Sequence, residues 1–225
     1  MSTSTSELKL SRKDRERELH RREILAAAER LFASKGYRAT TVEEIAREAE
    51  FAVGTIYTLF KDKDDLYTSI IEDFACELLG HLEQTVVPMA DATEALAAMI
   101  ELRLRHFHVH RAFLRSALEA VPILRVSPAA ACPARAMEIF ERYMKLSVEL
   151  VARGIAQRHF VPEDPQFLAL AIEGIIHAHA AHWSRLEPAE PLEVLVDRLK
   201  HQILGLVVTR RPAPAKPLSP TGDSP

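Results

Sequence analysis

Hydrophobic residues recur at helical spacing along most of this 225-residue chain. In the first such segment Ile24, Ala28 and Phe32 fall on one face of a helix, because residues four apart lie one turn above each other. Gly36 follows at a position suited to a left-handed C-terminal cap, so this helix is predicted to end at Lys35. Similar patterns continue to about residue 208, and no segment alternates as a strand would. The pattern predicts an all-α fold of about nine helices.

Two short helices follow the first one. Thr41, with Glu44 three residues later, forms a capping box that predicts a helix start, and segment 50–52 breaks that helix. A second short helix is predicted over 53–60, and Asp62 caps a longer helix after it. This arrangement is typical of a helix-turn-helix, in which the second helix places its N-terminal side chains against bases in the major groove of DNA.

The rest of the chain is predicted to be a longer helical region. Its helices are expected from Asp62 to before Pro88, from Asp91 to about 109, over 111–120, from Pro133 to about 158, over 166–186 and over 191–208. Pro133 suits the first turn of its helix. A Pro/Ala-rich loop is expected over 122–131, and a disordered tail over 210–225.

Charge changes this picture little. The formal net charge is −3; residues 1–63 carry 13 Lys and Arg against 11 Asp and Glu, and residues 64–225 carry 16 against 21. This asymmetry is too mild to indicate nucleic-acid binding by itself.

Residues 1–10 lack the apolar core of a signal peptide, and no apolar run reaches the length of a membrane span. We therefore expect a cytoplasmic protein with no membrane partner. Cys76 and Cys132 lie far apart in apolar contexts without metal-type spacing, so two buried thiols are expected.

Catalytic motifs are missing from the sequence. There is no Gly-rich phosphate loop, no nucleophile elbow and no pair of carboxylates in an apolar setting, so we expect neither an enzyme nor a cofactor. Six histidines form two groups: His106, His108 and His110, and then His177, His179 and His182. His106 and His110 have the i, i+4 spacing of metal ligands. Core or surface histidines without a metal are favoured, and metal sensing stays open as an alternative.

Residues 21–67 resemble the N-terminal domain of the TetR-type repressors. Four segments carry the resemblance in order and spacing: Ala26–Phe32, Lys35–Tyr37, Thr40–Ala46 and Gly54–Leu66. The resemblance implies an all-α homodimer that binds operator DNA through its N-terminal domain and is released by a small organic effector. It divides the chain into a charged arm (1–20), a helix-turn-helix domain (21–66), an effector and dimerisation domain (67–209) and a tail (210–225).

Site residues follow from the resemblance, position by position. Phosphate contacts are implied for Thr41, Tyr57 and Lys63, and base contacts for Val53, Thr55 and Thr58. The full predicted DNA-binding set is Arg38, Thr41, Val53, Gly54, Thr55, Tyr57, Thr58, Lys61 and Lys63. Arg12, Lys13, Arg15 and Arg17 are a candidate arm on the adjacent groove, or else a solvated helix. Two residues depart from the family pattern: Glu50 replaces a common turn Gly, and Ala52 replaces a Ser or Thr cap.

The resemblance also places an effector pocket among the middle helices. The candidate lining residues are Phe74, Leu78, Phe107, Phe113, Phe140, Met144, Glu173 and His177; each is also an ordinary core residue, and for the apolar ones that is the favoured interpretation. Glu173 lies inside an apolar run, and if it is buried His177 is its expected partner; a solvent-facing or interface position is the alternative.

Residues 166–186 and 191–208 are expected to form the homodimer interface, with close helix approach at Ala169, Gly174, Ala178 and Ala181. Repression is favoured over activation. The competing interpretation of the whole chain is a helical protein-interaction module that keeps a DNA-binding shape without the activity, and Glu50, Ala52 and the weak positive charge support it.

Overall fold

The structure is a computed structural model that describes residues 11–120, 133–186 and 190–209. Nine α-helices lie within these residues: α1 (Arg12–Lys35), α2 (Val42–Glu48), α3 (Val53–Leu59), α4 (Lys63–His81), α5 (Ala92–Val109), α6 (Arg111–Ala120), α7 (Ala134–Ala156), α8 (Pro165–Trp183) and α9 (Leu192–Val207). The described ranges contain no strand, and Phe160 and Val208 form an isolated antiparallel bridge. The predicted all-α class is confirmed.

The helix starts follow the predicted caps. The Thr41 hydroxyl accepts the Glu44 N–H while the Glu44 carboxylate accepts the Thr41 N–H, which completes the capping box of α2. The side chains of Asp62 and Asp91 cap α4 and α5 in the same way. Gly36 ends α1 with φ +82° and ψ 159°. Its φ is positive as predicted, but its ψ lies in the extended region that is open essentially to glycine alone, not in the left-handed helical region.

Two hydrophobic cores organise the helices. The first lies between α1, α2, α3 and the start of α4, around Phe32, Ile45 and Ile56. The second surrounds α5, which packs against α7, α8 and α9 and buries Leu96 and Ile100 completely. Each core buries the apolar stripe that its helices present, which is the main stabilising contribution to an all-helical fold.

Helix α4 belongs to both cores. Leu66 and Ile70 near its start are buried in the first core, and Leu78 and Leu79 near its end are buried in the second. A π-helical turn over Leu82–Val86 continues it. Arg21 of α1 donates both terminal NH groups to the carboxylate of Asp73 on α4, each over 2.9 Å. This bidentate pair fixes the two long helices of the N-terminal part to each other.

The structure corrects several local predictions. Cys76 is exposed, not buried, because it lies two positions before Leu78 and so on the opposite side of α4. Pro133 is the N-cap of α7 and not part of its first turn. Helix α8 ends at Trp183, three residues before the predicted limit.

Cys132, the loop over 122–131 and the tail over 210–225 lie outside the described residues. Among the described helices, none is both long and apolar enough to cross a lipid bilayer.

Candidate functional site

Helix α3 presents a polar face on the surface of the N-terminal domain. Ile56 and Phe60 are buried and anchor the helix to α1 and α2. On the opposite side Gly54 and Thr58 are exposed, and Tyr57 is 52% exposed although it is a large aromatic residue. Val53 and Thr55 at the N-terminal end are half-buried. The structure thus brings all five predicted residues of α3 to its first two turns, where a groove-reading helix carries its contacts.

The turn between α2 and α3 contains a left-handed backbone conformation that favours glycine, although no glycine lies in this turn. Glu50 has φ +60°, in the left-handed region. Ala52 is the N-cap of α3 and supplies no side-chain hydrogen bond. The Phe51 N–H donates to the Ala46 carbonyl over 2.9 Å, and the Phe51 ring lies 4.8 Å from that of His20 on α1. Packing by Phe51 therefore holds a turn that its own sequence disfavours.

Two threonine hydroxyls of the predicted set are already engaged. The Thr41 hydroxyl accepts a backbone N–H as the α2 cap, which leaves its proton for donation to a phosphate. The Thr58 hydroxyl donates to the Thr55 carbonyl over 2.7 Å. Thr58 therefore offers an acceptor and a methyl group to a partner, whereas Thr41 offers a donor.

Lys63 lies at the centre of a local network and not on an open surface. Its ammonium donates to the carbonyls of Tyr37 and Thr40 over 3.0 and 2.9 Å, and it lies 4.4 Å from the centroid of the Tyr37 ring. The Tyr37 hydroxyl donates to Asp64; burial and this hydrogen bond raise the pKa of Tyr37 to about 12. Lys63 thus ties α4 to the α1–α2 loop and keeps one N–H for a further partner.

Several other cations of the N-terminal segment are exposed. Arg38 and Lys61 are exposed at the two ends of the α2–α3 unit, and Arg12, Lys13, Arg15 and Arg17 are exposed on the first turns of α1. Of the predicted DNA-binding residues, Arg38, Thr41, Gly54, Tyr57, Thr58 and Lys61 are therefore exposed, Val53 and Thr55 are half-buried, and Lys63 is partly enclosed.

The second core contains a buried ionic cluster. The Arg103 guanidinium lies 3.1 Å from Glu173 Oε2, and both side chains are almost inaccessible. Glu173 Oε1 accepts the Tyr143 hydroxyl over 2.8 Å and lies 3.4 Å from Ser147 Oγ. Burial opposes the charge of Arg103, but Glu173 and Tyr143 outweigh it and raise its pKa. Burial likewise raises the pKa of Tyr143.

This cluster corrects one prediction and settles an alternative. Glu173 is buried, but its partners are Arg103 and Tyr143, not His177. One helical turn separates Glu173 from His177, whereas Arg103 reaches it from α5 across the core. The sequence does contain a signal for Arg103: it lies between Ile100 and Leu104 on the buried stripe of α5. A charged residue within an apolar stripe indicates a buried partner elsewhere.

The other predicted pocket residues form two groups, one around the Phe107 ring and one of residues that pack elsewhere. Phe74, Phe107 and His177 lie close together, with Phe107 6.1 Å from the Phe74 ring and 6.3 Å from that of His177. Phe140 stacks on Tyr143, while Leu78 is buried in the second core and Met144 packs against it.

The predicted role of Phe113 as a pocket residue is wrong. Its side chain is buried in the first core, 5.3 Å from the Tyr67 ring, so it does not line a pocket of the effector domain. A cavity of about 70 Å³ in the second core is lined by residues outside the predicted set, which include Leu82, Met99 and Leu150.

Comparisons with known proteins agree with this architecture. Residues 24–70 match the family model of bacterial regulatory proteins of the tetR family. The uncharacterised helix-turn-helix regulator YhgD of Bacillus subtilis is 27% identical over 186 residues, which cover 79% of this chain and 91% of YhgD. The fatty acid metabolism regulator protein of the same organism is 34% identical over 85 residues; these cover 38% of this chain and only 42% of that protein.

Solved structures share the fold. The fatty acid degradation regulator FadR of Bacillus halodurans superimposes with a TM-score of 0.71 at 22% identity, over 83% of this chain and 95% of FadR. FadR of Bacillus subtilis in complex with stearoyl-CoA superimposes with a TM-score of 0.64 at 22% identity, over 81% and 97%.

Fold, helix-turn-helix and family match together define a helix-turn-helix transcriptional regulator. The N-terminal segment, residues 24–70, belongs to the tetR family of bacterial regulatory proteins.

Proposed function

We propose that this TetR-family regulator is a homodimeric repressor that binds a near-palindromic operator through α3 and is released by a small organic effector. The observation that carries the proposal is the exposed face of α3: Tyr57 is more than half exposed on a helix whose other side is anchored in the first core. Tyr57 and its exposed neighbours Gly54 and Thr58 therefore form an accessible surface on the helix that reads the major groove in a helix-turn-helix.

Gly54 supports a close approach at the same face. A Cβ at this exposed helical position would meet no atom within 4 Å, so packing inside the protomer does not require glycine. Thr41, Tyr57 and the remaining N–H of Lys63 are proposed to bind phosphates, and Val53 and Thr55 to contact bases. Thr58 contributes its methyl group and its acceptor, because its proton is donated to Thr55.

The dimer is proposed to form through α8 and α9. Phe167 and Leu170 on α8 are 64% and 62% exposed, and Leu206 on α9 is 60% exposed. Gly174 and Ala178 continue the exposed apolar stripe of α8, where small side chains permit close helix packing. Ala169 and Ala181, the other two predicted small contacts, are buried inside the protomer and leave the proposed interface.

The effector is proposed to bind in the second core beside the ionic cluster. The Arg103 guanidinium lies 5.7 Å from the centroid of the Phe107 ring, and the Phe74 and His177 rings lie 6.1 and 6.3 Å from the same ring. Within the described residues, Arg103 Nε is buried without a hydrogen-bond acceptor. An organic molecule with an apolar body and an oxygen acceptor fits both features. Stearoyl-CoA is the first probe, because one structural neighbour contains it.

Selection of bound fragments from genomic DNA at physiological salt tests the proposal. Two equivalent half-sites about 34–36 Å apart are expected, because the two α3 helices of the dimer lie in successive major grooves, one helix from each protomer. Tyr57→Phe should weaken binding to all recovered sequences alike, whereas Thr55→Val should change the preferred bases. Recovery of no sequence by a chain that light scattering shows to be folded and dimeric would instead favour the protein-interaction module. A monomer would exclude the two-half-site arrangement.

A further inference from the structure

A second polar cluster lies where α1, α4 and the end of α5 meet. His106 lies on the last turn of α5 and His110 is its C-cap residue, while Glu77 lies on α4. Each side chain offers a ligand atom, and these atoms all lie within 4.8 Å of one another. None of the three belongs to the DNA-binding face or to the ionic cluster around Arg103.

The imidazole of His110 is oriented by two carboxylates. Its Nδ1 lies 2.7 Å from Glu29 Oε1, and its Nε2 lies 3.8 Å from Glu77 Oε2. A carboxylate on one ring nitrogen fixes the ring and makes the other nitrogen a better ligand, which is the usual arrangement around protein-bound zinc. Glu29 would therefore orient His110 from outside the coordination sphere, while Glu77 lies on the metal side.

His106 is held in a ligating form. Its Nε2 donates to the Phe74 carbonyl over 2.8 Å, so Nδ1 carries the lone pair. The His106 side chain is buried, and neutral imidazole is the form that binds metal. The Phe74 ring lies 4.2 Å from His106 and 5.2 Å from His110, so the histidines pack against an apolar wall. Glu77 is exposed and opens the cluster to solvent.

We propose that Glu77, His106 and His110 bind a divalent transition metal ion of the zinc type, with Glu29 as the carboxylate behind His110. Two imidazoles and one carboxylate suit zinc and leave a coordination position for water. Ligands of a tetrahedral zinc ion lie about 3.4 Å apart, so binding requires small side-chain adjustments that draw the three ligand atoms together, and the exposed Glu77 is the freest of the three to move. Because Glu29 is on α1, the ion would join the N-terminal domain to α4 and α5.

The test is metal binding to the untagged, full-length chain, measured by calorimetry with Zn²⁺ and by the visible absorption of Co²⁺. We expect an equimolar amount of ion to bind. The double variant His106→Asn/His110→Asn should lose the Co²⁺ absorption, and Glu77→Gln should weaken binding at least about tenfold. Glu29→Gln should weaken it about 10- to 100-fold without removing a ligand.

Two matched controls make the result specific. His108→Asn changes an exposed histidine of the same helix, whose ring lies 5.6 Å from Trp183, and Glu23→Gln changes an exposed carboxylate of α1; both should bind as the parent does. Because Glu77 is exposed, its variant keeps the test valid if the buried His106 variant fails to fold. Absence of Zn²⁺ binding by the parent chain, or unchanged binding by the Glu77 and double variants, would overturn the proposal whatever the DNA-binding result.

Discussion

Glu50 shows how a single backbone conformation shapes the DNA-binding unit. Its φ of +60° places the Cβ close to the following carbonyl, a strain that glycine does not have. The turn still forms, because Phe51 packs on α1 and donates to Ala46. Position 50 therefore accepts a residue that is strained in the left-handed conformation, because the contacts of neighbouring residues determine the turn.

Replacing Glu50 by glycine should stabilise the protein. We expect Glu50→Gly to raise the free energy of unfolding by roughly 1 kcal/mol, since the relief of strain of about 1–2 kcal/mol exceeds the added flexibility of the unfolded chain. Urea denaturation measures the change. Glu43→Gly, at an exposed helical position of α2, is the control and should destabilise the protein by up to about 1 kcal/mol. Loss of stability in Glu50→Gly would show that the turn is not strained.

Two neighbouring lysines should separate stability from DNA affinity. Lys61 is exposed, so Lys61→Ala should leave the free energy of unfolding within about 0.5 kcal/mol while lowering the salt dependence of DNA binding by roughly 1 per protomer. Lys63→Ala removes two hydrogen bonds to carbonyls and should cost about 1–2 kcal/mol of stability as well.

Thermal unfolding without DNA, together with binding titrations at several salt concentrations, measures both effects. If Lys63→Ala kept the parent stability, its contacts to the α1–α2 loop would not be formed in solution.

Between elements, the Arg103–Glu173 pair joins α5 to α8, with Tyr143 of α7 as a third member. Charges this deeply buried gain little over well-packed apolar residues, but removing one partner leaves the other unpaired. We expect Glu173→Gln to cost about 3–5 kcal/mol, and the double variant Arg103→Met/Glu173→Gln to recover most of that loss. Urea denaturation of both single variants and the double variant gives the coupling energy. Additive losses would mean that the charges do not interact.

The local signals of the sequence were sufficient for the elements. Caps at Thr41, Asp62 and Asp91 give the starts of α2, α4 and α5 as the structure has them, because a cap depends on residues three positions apart. Gly36 likewise marks the end of α1. The position of α3, Val53–Leu59, was also predictable, since it depends on the same short segment.

Contacts between elements were not predictable in this way. Glu173 was paired with His177 because periodicity relates residues one turn apart, whereas Arg103 is 70 positions away and reaches Glu173 only through the packing of α5 on α8. The internal role of Lys63 and the position of Phe113 depend on similar long-range packing. A pattern read along one helix specifies which face is buried, but not which helix covers it.

Over the whole molecule, α4 and α6 each contribute residues to both hydrophobic cores. Adjacent residues of α6 serve different cores: Phe113 is buried in the first, and Leu114 packs against the second. Arg21 and Asp73 reinforce the same junction. A structural change in the second core therefore reaches the DNA-binding helices directly, through α4 and α6.

Truncating Phe113 and truncating Leu114 should lower the local stability of different cores. Phe113→Ala is expected to cost about 3–5 kcal/mol by leaving a cavity in the first core, and to raise amide hydrogen exchange in α1–α3 before α5 and α7. Leu114→Ala should do the reverse. Hydrogen exchange followed by mass spectrometry resolves the helices. The same exchange pattern in both variants would show that the two cores unfold as one.

The position of Phe113 also limits how this protein can be recombined with its relatives. A hybrid sensor that joins this DNA-reading segment to a foreign effector domain at residue 70 would keep Tyr67 but exchange the side chain that packs against it. Such a hybrid would have a cavity or a steric clash beside Tyr67 in the core of its DNA-binding segment. This defect would impair DNA recognition whether or not the effector domain binds its ligand. The natural unit of exchange is therefore discontinuous: the first four helices together with the surface of α6 that completes them.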